Sequence, residues 1–219
     1  MLKPCTIVLG LAQDCALAEG DLIGADRGAL ICAQAHRRMV MAIGDFDSVT
    51  PPQKELIRQY ADQMQVLPAM KDETDALSAL RWAAGQGYNP MVLIGGVGGR
   101  QDHQLANLLL VMHQKLPVIL REKNNELFCL DPGRHVFHPD ARRFISFFAV
   151  EPAVLTLEGF LYPLDHYVMD RGDTIGISNE IAADEAVLTL DQGRLLVVRS
   201  RDDGESSNFQ RRKAAQTHV

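Results

Sequence analysis

The chain has 219 residues, with 22 Lys and Arg against 28 Asp and Glu, a formal net charge of −6. That length suits one ordinary domain or two small ones, and 47% apolar with 23% charged residues excludes a disordered chain. Acidity without any basic block excludes nucleic-acid binding through phosphates and attachment to an anionic membrane surface.

The first half alternates short apolar runs with longer amphipathic ones. Residues 5–12 read as a buried strand rather than a signal peptide, whose apolar region runs longer. A second strand covers 21–25 and ends at Asp26, and a short helix covers 28–36. A strand at 39–43 ends at Gly44, followed by a helix over 51–63 with Pro at its start. A strand at 65–69, a helix over 74–86, a strand at 91–94, a glycine loop at 95–99 and a helix over 102–114 complete this half. Such alternation predicts a Rossmann-like α/β domain with a mostly parallel sheet.

From Pro117 onward the helical period disappears. Strands are expected at 118–121, 126–130, 134–138, 143–150, 154–157, 186–190 and 195–199. Turn signals separate them, among them Asp131-Pro132-Gly133 and Asp191-Gln192-Gly193. Regularly spaced short strands predict a small antiparallel all-β sandwich or barrel. The expected domains are therefore 1–131 (α/β) and 132–203 (β-sandwich), with 204–219 a polar tail. No apolar stretch reaches the roughly 18 residues of a membrane helix. Cys5, Cys15, Cys32 and Cys129 are scattered without metal-ligand spacing, as in a reduced, cytoplasmic protein.

Four acidic motifs fall at the strand-to-helix junctions of the first domain: Ala25-Asp26-Arg27-Gly28, Gly44-Asp45-Phe46-Asp47-Ser48, Lys71-Asp72-Glu73-Thr74-Asp75, and the segment from Gly95 to Asn107. In an open parallel sheet these junctions gather at the carboxyl ends of the strands, where ligands bind. Six of the twelve acidic residues in 1–110 sit in these motifs (Asp26, Asp45, Asp47, Asp72, Asp75 and Asp102). Asp45 and Asp47, two apart in an extended segment, face the same way and repel unless a cation separates them. Oxygen-only ligands suit Mg²⁺. The bland reading is a turn in which Asp47 or Ser48 caps the helix at Pro51. For Asp72 and Asp75 it is an N-cap and a first-turn acid. The loop Gly95-Gly96-Val97-Gly98-Gly99 turns backbone N–H groups toward phosphate, and Arg100 adds a bidentate donor. Asp102 and His103 open the next helix, with Asn107 one turn beyond on the same face.

The four motifs, in this order and spacing, resemble those of the thiamine pyrophosphokinase family: an ADGG-like loop, GDFDS, KDxTD and GGRxDHxxAN. The second half agrees, with Gly159 to Leu164 (GFLYPL) and Gly176 to Glu180 (GISNE) similar to that family's thiamine-binding part. One departure stands in the first loop. Arg27 occupies a position where the family more often has glycine, so the nucleotide contact there is either lost or made by Arg27 itself.

The resemblance implies Mg²⁺-dependent transfer of a diphosphate from ATP to the thiamine hydroxyl, giving thiamine diphosphate and AMP. It makes residues 1–131 the nucleotide-binding catalytic domain. It implies catalytic roles for Asp45, Asp47, Asp72, Asp75, Arg100 and Asp102, with Asp45, Asp47, Asp72 and Asp102 as metal ligands. Asp26, Gly28, Gly98, Gly99, Arg100, His103 and Asn107 fall on its nucleotide side. Tyr162, Ser178 and Asn179 fall on its thiamine side. It further implies a homodimer in which two chains build the thiamine site together. Two other readings compete: a non-catalytic nucleotide or thiamine binder, and an aspartyl phosphatase with Asp45 as nucleophile. Phosphatases of that kind place the nucleophile after the first strand and have no GGRxDH loop.

Overall fold

The computed structural model describes residues 3–68, 70 and 72–203. The expected tail at 204–219 lies outside the described residues. The chain forms two compact units, Met1–Lys123 and Asn124–Val219.

Among the described residues the first unit contains six strands and four helices in the order β1 (Lys3–Val8), β2 (Asp21–Ala25), α1 (Arg27–Gln34), β3 (Met41–Gly44), α2 (Pro51–Tyr60), β4 (Met64–Val66), α3 (Asp75–Gly85), β5 (Tyr88–Ile94), α4 (Gln101–His113) and β6 (Val118–Arg121). Its strands are all parallel, in the order β4-β3-β2-β1-β5-β6. The chain runs outward from β1 to β4, then returns through α3 to β5 on the other side of β1. That reversal is the switch point at which open α/β sheets bind ligands.

Burial explains the run-like, non-alternating strand sequences. Val8, Leu22, Ala42, Val92 and Ile94 cluster with Ala29, Leu30, Ala33 and Ile57 of α1 and α2. The intervening Ile7, Ile23, Ile43 and Leu93 are also buried, as is the inner side of α3 at Ala79, Leu80 and Ala83. One close approach sets the position of α1. Gly28 lies against β1, where an added Cβ would fall 1.9 Å from the Val8 carbonyl oxygen.

The second unit contains β7 (Asn125–Leu130), β8 (Gly133–Phe137), β9 (Phe144–Glu158), β10 (Leu164–Met169), β11 (Asn179–Glu180) and β12 (Ala186–Ser200). All its pairings are antiparallel. β7 pairs with β12, which places the boundary at Lys123/Asn124 instead of 131/132. Asp131-Pro132-Gly133 is a turn inside this unit.

Two further expectations change here. The strands expected at 143–150 and 154–157 are one strand, β9, and those at 186–190 and 195–199 are one strand, β12. Asp191-Gln192-Gly193 is a bulge in β12, with register shifts on both sides and Gly193 at φ 87°. Gly193 lies against Pro152 of β9, where a Cβ would meet the Pro152 carbonyl oxygen at 2.3 Å. Both long strands therefore bend at the same place. Beyond the bend β12 exchanges β8 for β7, and side chains from both arms share one core around Phe137, Phe147, Phe160, Leu188 and Val197.

Candidate active site

Every acidic motif of the first unit follows the carboxyl end of a strand. The link from β2 to α1 is a single residue, Asp26, held at φ 47°. A non-glycine residue in that region carries strain, and such strain gathers at functional sites. Its N–H donates to the Ile43 carbonyl of β3 at 2.9 Å, tying the ends of β2 and β3 together. Asp45 and Asp47 follow β3 directly. They are not in extended backbone: Phe46 between them is left-handed (φ 56°) and its ring is buried. The left-handed turn, rather than a two-residue repeat, turns both carboxylates to one side.

Asp26, Asp45 and Asp47 each place a carboxylate oxygen within 4.8 Å of the other two. Asp26 and Asp45 are half-buried, and Asp47 is exposed. Ser48 Oγ donates to Asp26 Oδ2 at 3.0 Å, while Asp26 Oδ1 is buried with no hydrogen-bond partner among the described residues. Three hard oxygen donors, one of them buried and unsatisfied, fit a divalent cation such as Mg²⁺. Capping does not explain the group. α2 is capped by Thr50, whose N–H donates to the Gln53 side chain at 2.8 Å, so neither Asp47 nor Ser48 serves there.

Asp72 and Asp102 lie outside this carboxylate group. Asp72 is exposed and does not cap α3; Thr74 does, accepting from the Leu77 N–H at 3.2 Å. Asp75 stands in the first turn of α3. Asp102 is gripped by Arg100, with Nη2 donating to Oδ2 at 2.6 Å and Nε to Oδ1 at 3.1 Å. His103 is exposed, and its backbone N–H also donates to Asp102 Oδ1 at 2.9 Å.

The glycine loop differs from expectation in where its N–H groups point. Gly96 and Val97 donate to Glu122 Oε1 (3.0 and 3.3 Å), and Gly98 donates to Gln104 Oε1 (3.0 Å). Those three donors are occupied by side chains. Asn107 Nδ2 donates to the Gly96 carbonyl at 2.9 Å, so its amide also holds the loop. Gly98 and Gly99 have φ of 102° and 61°. Gly28, expected on the nucleotide side, is buried against β1.

A cavity of about 350 Å³ opens beside Asp26. Arg27, Leu30, Ile31 and Gln34 line it from one stripe of α1, with Ser48 and Gln53 among the residues completing the wall. Its volume is that of a small-ligand site.

In the second unit Asn179 is 3% exposed and fully engaged. Its Oδ1 accepts from the N–H groups of Tyr162 (3.0 Å) and Glu180 (2.9 Å), and its Nδ2 donates to the Tyr162 carbonyl (2.8 Å). Asn179 is thus the clamp that positions its neighbours. Tyr162 and Ser178 are exposed, the latter at φ 55° with its N–H on Ser146 Oγ at 2.9 Å.

Both halves match known sequence profiles. The one described as "Thiamin pyrophosphokinase, catalytic domain" covers residues 17–120, and "Thiamin pyrophosphokinase, vitamin B1 binding domain" covers 134–195. Thiamine pyrophosphokinase of Bacillus subtilis (strain 168) is 34% identical over 186 residues, 82% of this chain and 87% of that protein.

The chain belongs to the thiamine pyrophosphokinase family.

It is accordingly an enzyme of the kinase kind. The crystal structure of the Bacillus subtilis protein superposes with a TM-score of 0.82 at 32% identity, covering 91% of this chain and all of the other. A thiamin pyrophosphokinase family protein from Enterococcus faecalis gives 0.83 at 26% identity, covering 92% and 100%. The enzyme from Candida albicans, at 15% identity and TM-score 0.70, shares the fold.

In this thiamine pyrophosphokinase family member the pairing with Arg100 carries a measurable signature. The guanidinium, helped by the His103 N–H, holds the Asp102 carboxyl down to about 2. Folded Asp102 thus titrates below its unfolded value, and whatever it adds to stability is present above that value and lost as pH falls toward about 2. Both side chains are exposed, so the effect on stability is small. Carboxyl NMR should place the Asp102 midpoint near about 2. In Arg100→Ala it should rise toward the ordinary value of about 3.9, the His103 N–H still holding it somewhat below. An unmoved midpoint would show that another group sets it.

Proposed function

We propose that the chain transfers a diphosphate from ATP to the hydroxyl of thiamine, forming thiamine diphosphate and AMP with Mg²⁺. The observation that carries this reading is the convergence of Asp26, Asp45 and Asp47 within 4.8 Å at the carboxyl ends of β2 and β3, with Asp26 Oδ1 buried and unsatisfied.

These three carboxylates would hold the Mg²⁺ that accompanies ATP. When bound, the ion neutralises charge on the diphosphate as it moves. The cavity along α1 receives the nucleoside, with Leu30 and Ile31 as its apolar wall and Arg27, Gln34 and Gln53 as polar contacts. Asp102 uses the Nε and Nη2 donors of Arg100 and fixes the plane of the guanidinium, leaving Nη1 for a phosphate oxygen. The thiamine hydroxyl oxygen bonds to the β-phosphorus of ATP. The bond from that phosphorus to the α,β-bridging oxygen breaks, AMP leaves with that oxygen, and the hydroxyl proton is released.

Thiamine is recognised by Tyr162 and Ser178, which Asn179 orients, and the chain works in the cytoplasm as a homodimer. Exposed apolar side chains at Leu161, Tyr162, Val168, Ile175 and Ile177 support an interface on the second unit.

The test is a product assay with ATP, thiamine and Mg²⁺. AMP and thiamine diphosphate should appear in equal amounts. ADP in place of AMP would overturn the transfer of a whole diphosphate. Calorimetric binding of thiamine or ATP without turnover would establish the non-catalytic reading.

A further inference from the structure

The glycine loop ends at Arg100, the residue to which the proposed function gives the phosphate. What keeps the loop in place is therefore a question about catalysis. Three of the loop's five residues donate their N–H groups to side chains, and one of those side chains is a carboxylate from a different strand end. Glu122 follows β6 directly, and β6 lies beside β5, whose end opens the loop. A single oxygen, Oε1, accepts from both Gly96 and Val97. The loop rests on the same strand through Gly96, where an added Cβ would meet Leu120 Cδ1 at 2.7 Å. On the other side α4 contributes Gln104 to the Gly98 N–H and Asn107 to the Gly96 carbonyl.

We propose that Glu122 is a positioning residue for the transfer reaction: its carboxylate braces the glycine loop from β6 and so sets where Arg100 presents its guanidinium.

A loop with four glycines among five residues has little conformational preference of its own, so its shape must be imposed. Backbone N–H groups aimed at a carboxylate form stronger hydrogen bonds than neutral pairs do. Burial opposes the charge and pushes the Glu122 carboxyl upward, while the Gly96, Val97 and Gly95 amides pull it back. The brace is thus partly desolvated and matched by oriented donors. An alternative, in which the same amides form an anion site that Glu122 merely fills, makes the opposite prediction. In that alternative, phosphate and Glu122 compete, and removing the carboxylate improves nucleotide binding.

The proposal rests on the assignment of phosphate to Arg100, so its test has one arm without nucleotide. Amide hydrogen exchange of residues 95–98 is compared in the wild type, E122A and E122Q, and the KM for ATP and for thiamine is measured on all three. In E122A these amides should exchange about tenfold faster, the weight of one lost hydrogen bond. The KM for ATP should rise at least about 10-fold, as for other residues that orient a site from behind, with the KM for thiamine little changed. E122Q keeps an acceptor in the same place and should restore both. Unchanged exchange, an unchanged or lowered KM for ATP, or an E122Q variant as impaired as E122A would each overturn the proposal. If E122A does not fold, E122D, which withdraws the carboxylate by one methylene, replaces it in the same comparison. Faster exchange in E122A together with a wild type that turns over no ATP would sink the proposed reaction and leave the brace standing.

Discussion

Asp47→Asn should lower turnover at least about 100-fold, equivalent to roughly 2.7 kcal/mol of barrier, while the folded protein stays as stable as before or becomes more so. The two effects have one origin. Asp26, Asp45 and Asp47 lie within 4.8 Å of one another, and three like charges at that spacing repel. Without a cation the cluster costs folding free energy, and an amide at position 47 relieves part of that cost. If the proposed assignment holds, the same charges become ligands when Mg²⁺ is added, and the amide is a poorer one. Thermal melts should therefore show the wild type gaining stability on Mg²⁺ addition, as linkage requires of anything that binds only the folded state, with a smaller gain in the variant. Near-normal turnover of Asp47→Asn at saturating Mg²⁺ would remove Asp47 from the ligand set. Asp45→Asn provides the parallel case, with the same expected signs.

The second large effect runs the other way, through stability first. Gly28→Ala adds a methyl group whose carbon would lie 1.9 Å from the Val8 carbonyl oxygen and 2.5 Å from its carbonyl carbon. Neither backbone atom can yield without moving β1, the strand between β2 and β5. α1 must therefore lift from the sheet and give up contacts of Ala29, Leu30, Cys32 and Ala33, all buried. Overpacking of this kind costs about 3 kcal/mol. The melting temperature should fall by roughly 10 °C, read by calorimetry. Asp26 and Arg27 precede Gly28 in sequence, so activity falls as well, but as a consequence of displacement. A melting temperature within about 2 °C of wild type would mean that α1 tolerates the methyl and that the contact is not tight in solution. The pair of variants is diagnostic together: one loses chemistry and keeps the fold, the other loses the fold and chemistry with it.

Much of the first unit was legible because its signals are local. Apolar runs end at Asp26, Gly44 and Gly95, and the strands end within a residue of each. Pro51 begins α2, and Thr74 stands at the start of α3. The second unit was harder, because its strongest turn signal, Asp191-Gln192-Gly193, sits inside a paired strand. A bulge and a turn draw on the same residues, and only the partner strand distinguishes them. β10 escaped notice because Asp165 and His166 interrupt its apolar pattern, and the register shifts at that point.

The same division runs through the site. Asp26, Asp45 and Asp47 were readable as acids at strand ends, yet the left-handed Phe46 that unites two of them follows from no spacing rule. The Arg100–Asp102 pair is two residues apart, and nothing in the residue types says whether they would hold each other or a ligand. Glu122 was missed because its partners lie 26 and 25 residues away. The available hint was an acidic residue immediately after the apolar run at 118–121, at the same sheet edge as the glycine loop. Asn107 was expected on the nucleotide side and Asn179 on the thiamine side. Their amides prove to be spent on backbone, on the Gly96 carbonyl in one case and around Tyr162 in the other.

The long strand β12 has a consequence for the order of events during synthesis. β8 pairs with no described strand other than β12, and β9 takes most of its partners from it. Strands β1 to β6 all precede residue 124 and can pair with one another while the ribosome is still at work. The second unit has to wait for its last strand. At ordinary elongation rates that interval is roughly 4 to 15 s, during which β8 and β9 stay without their shared partner. Any call on chaperones during synthesis is therefore expected from the nascent second unit, and a ribosome stalled before residue 186 leaves β1 to β6 complete while β8 and β9 still lack β12.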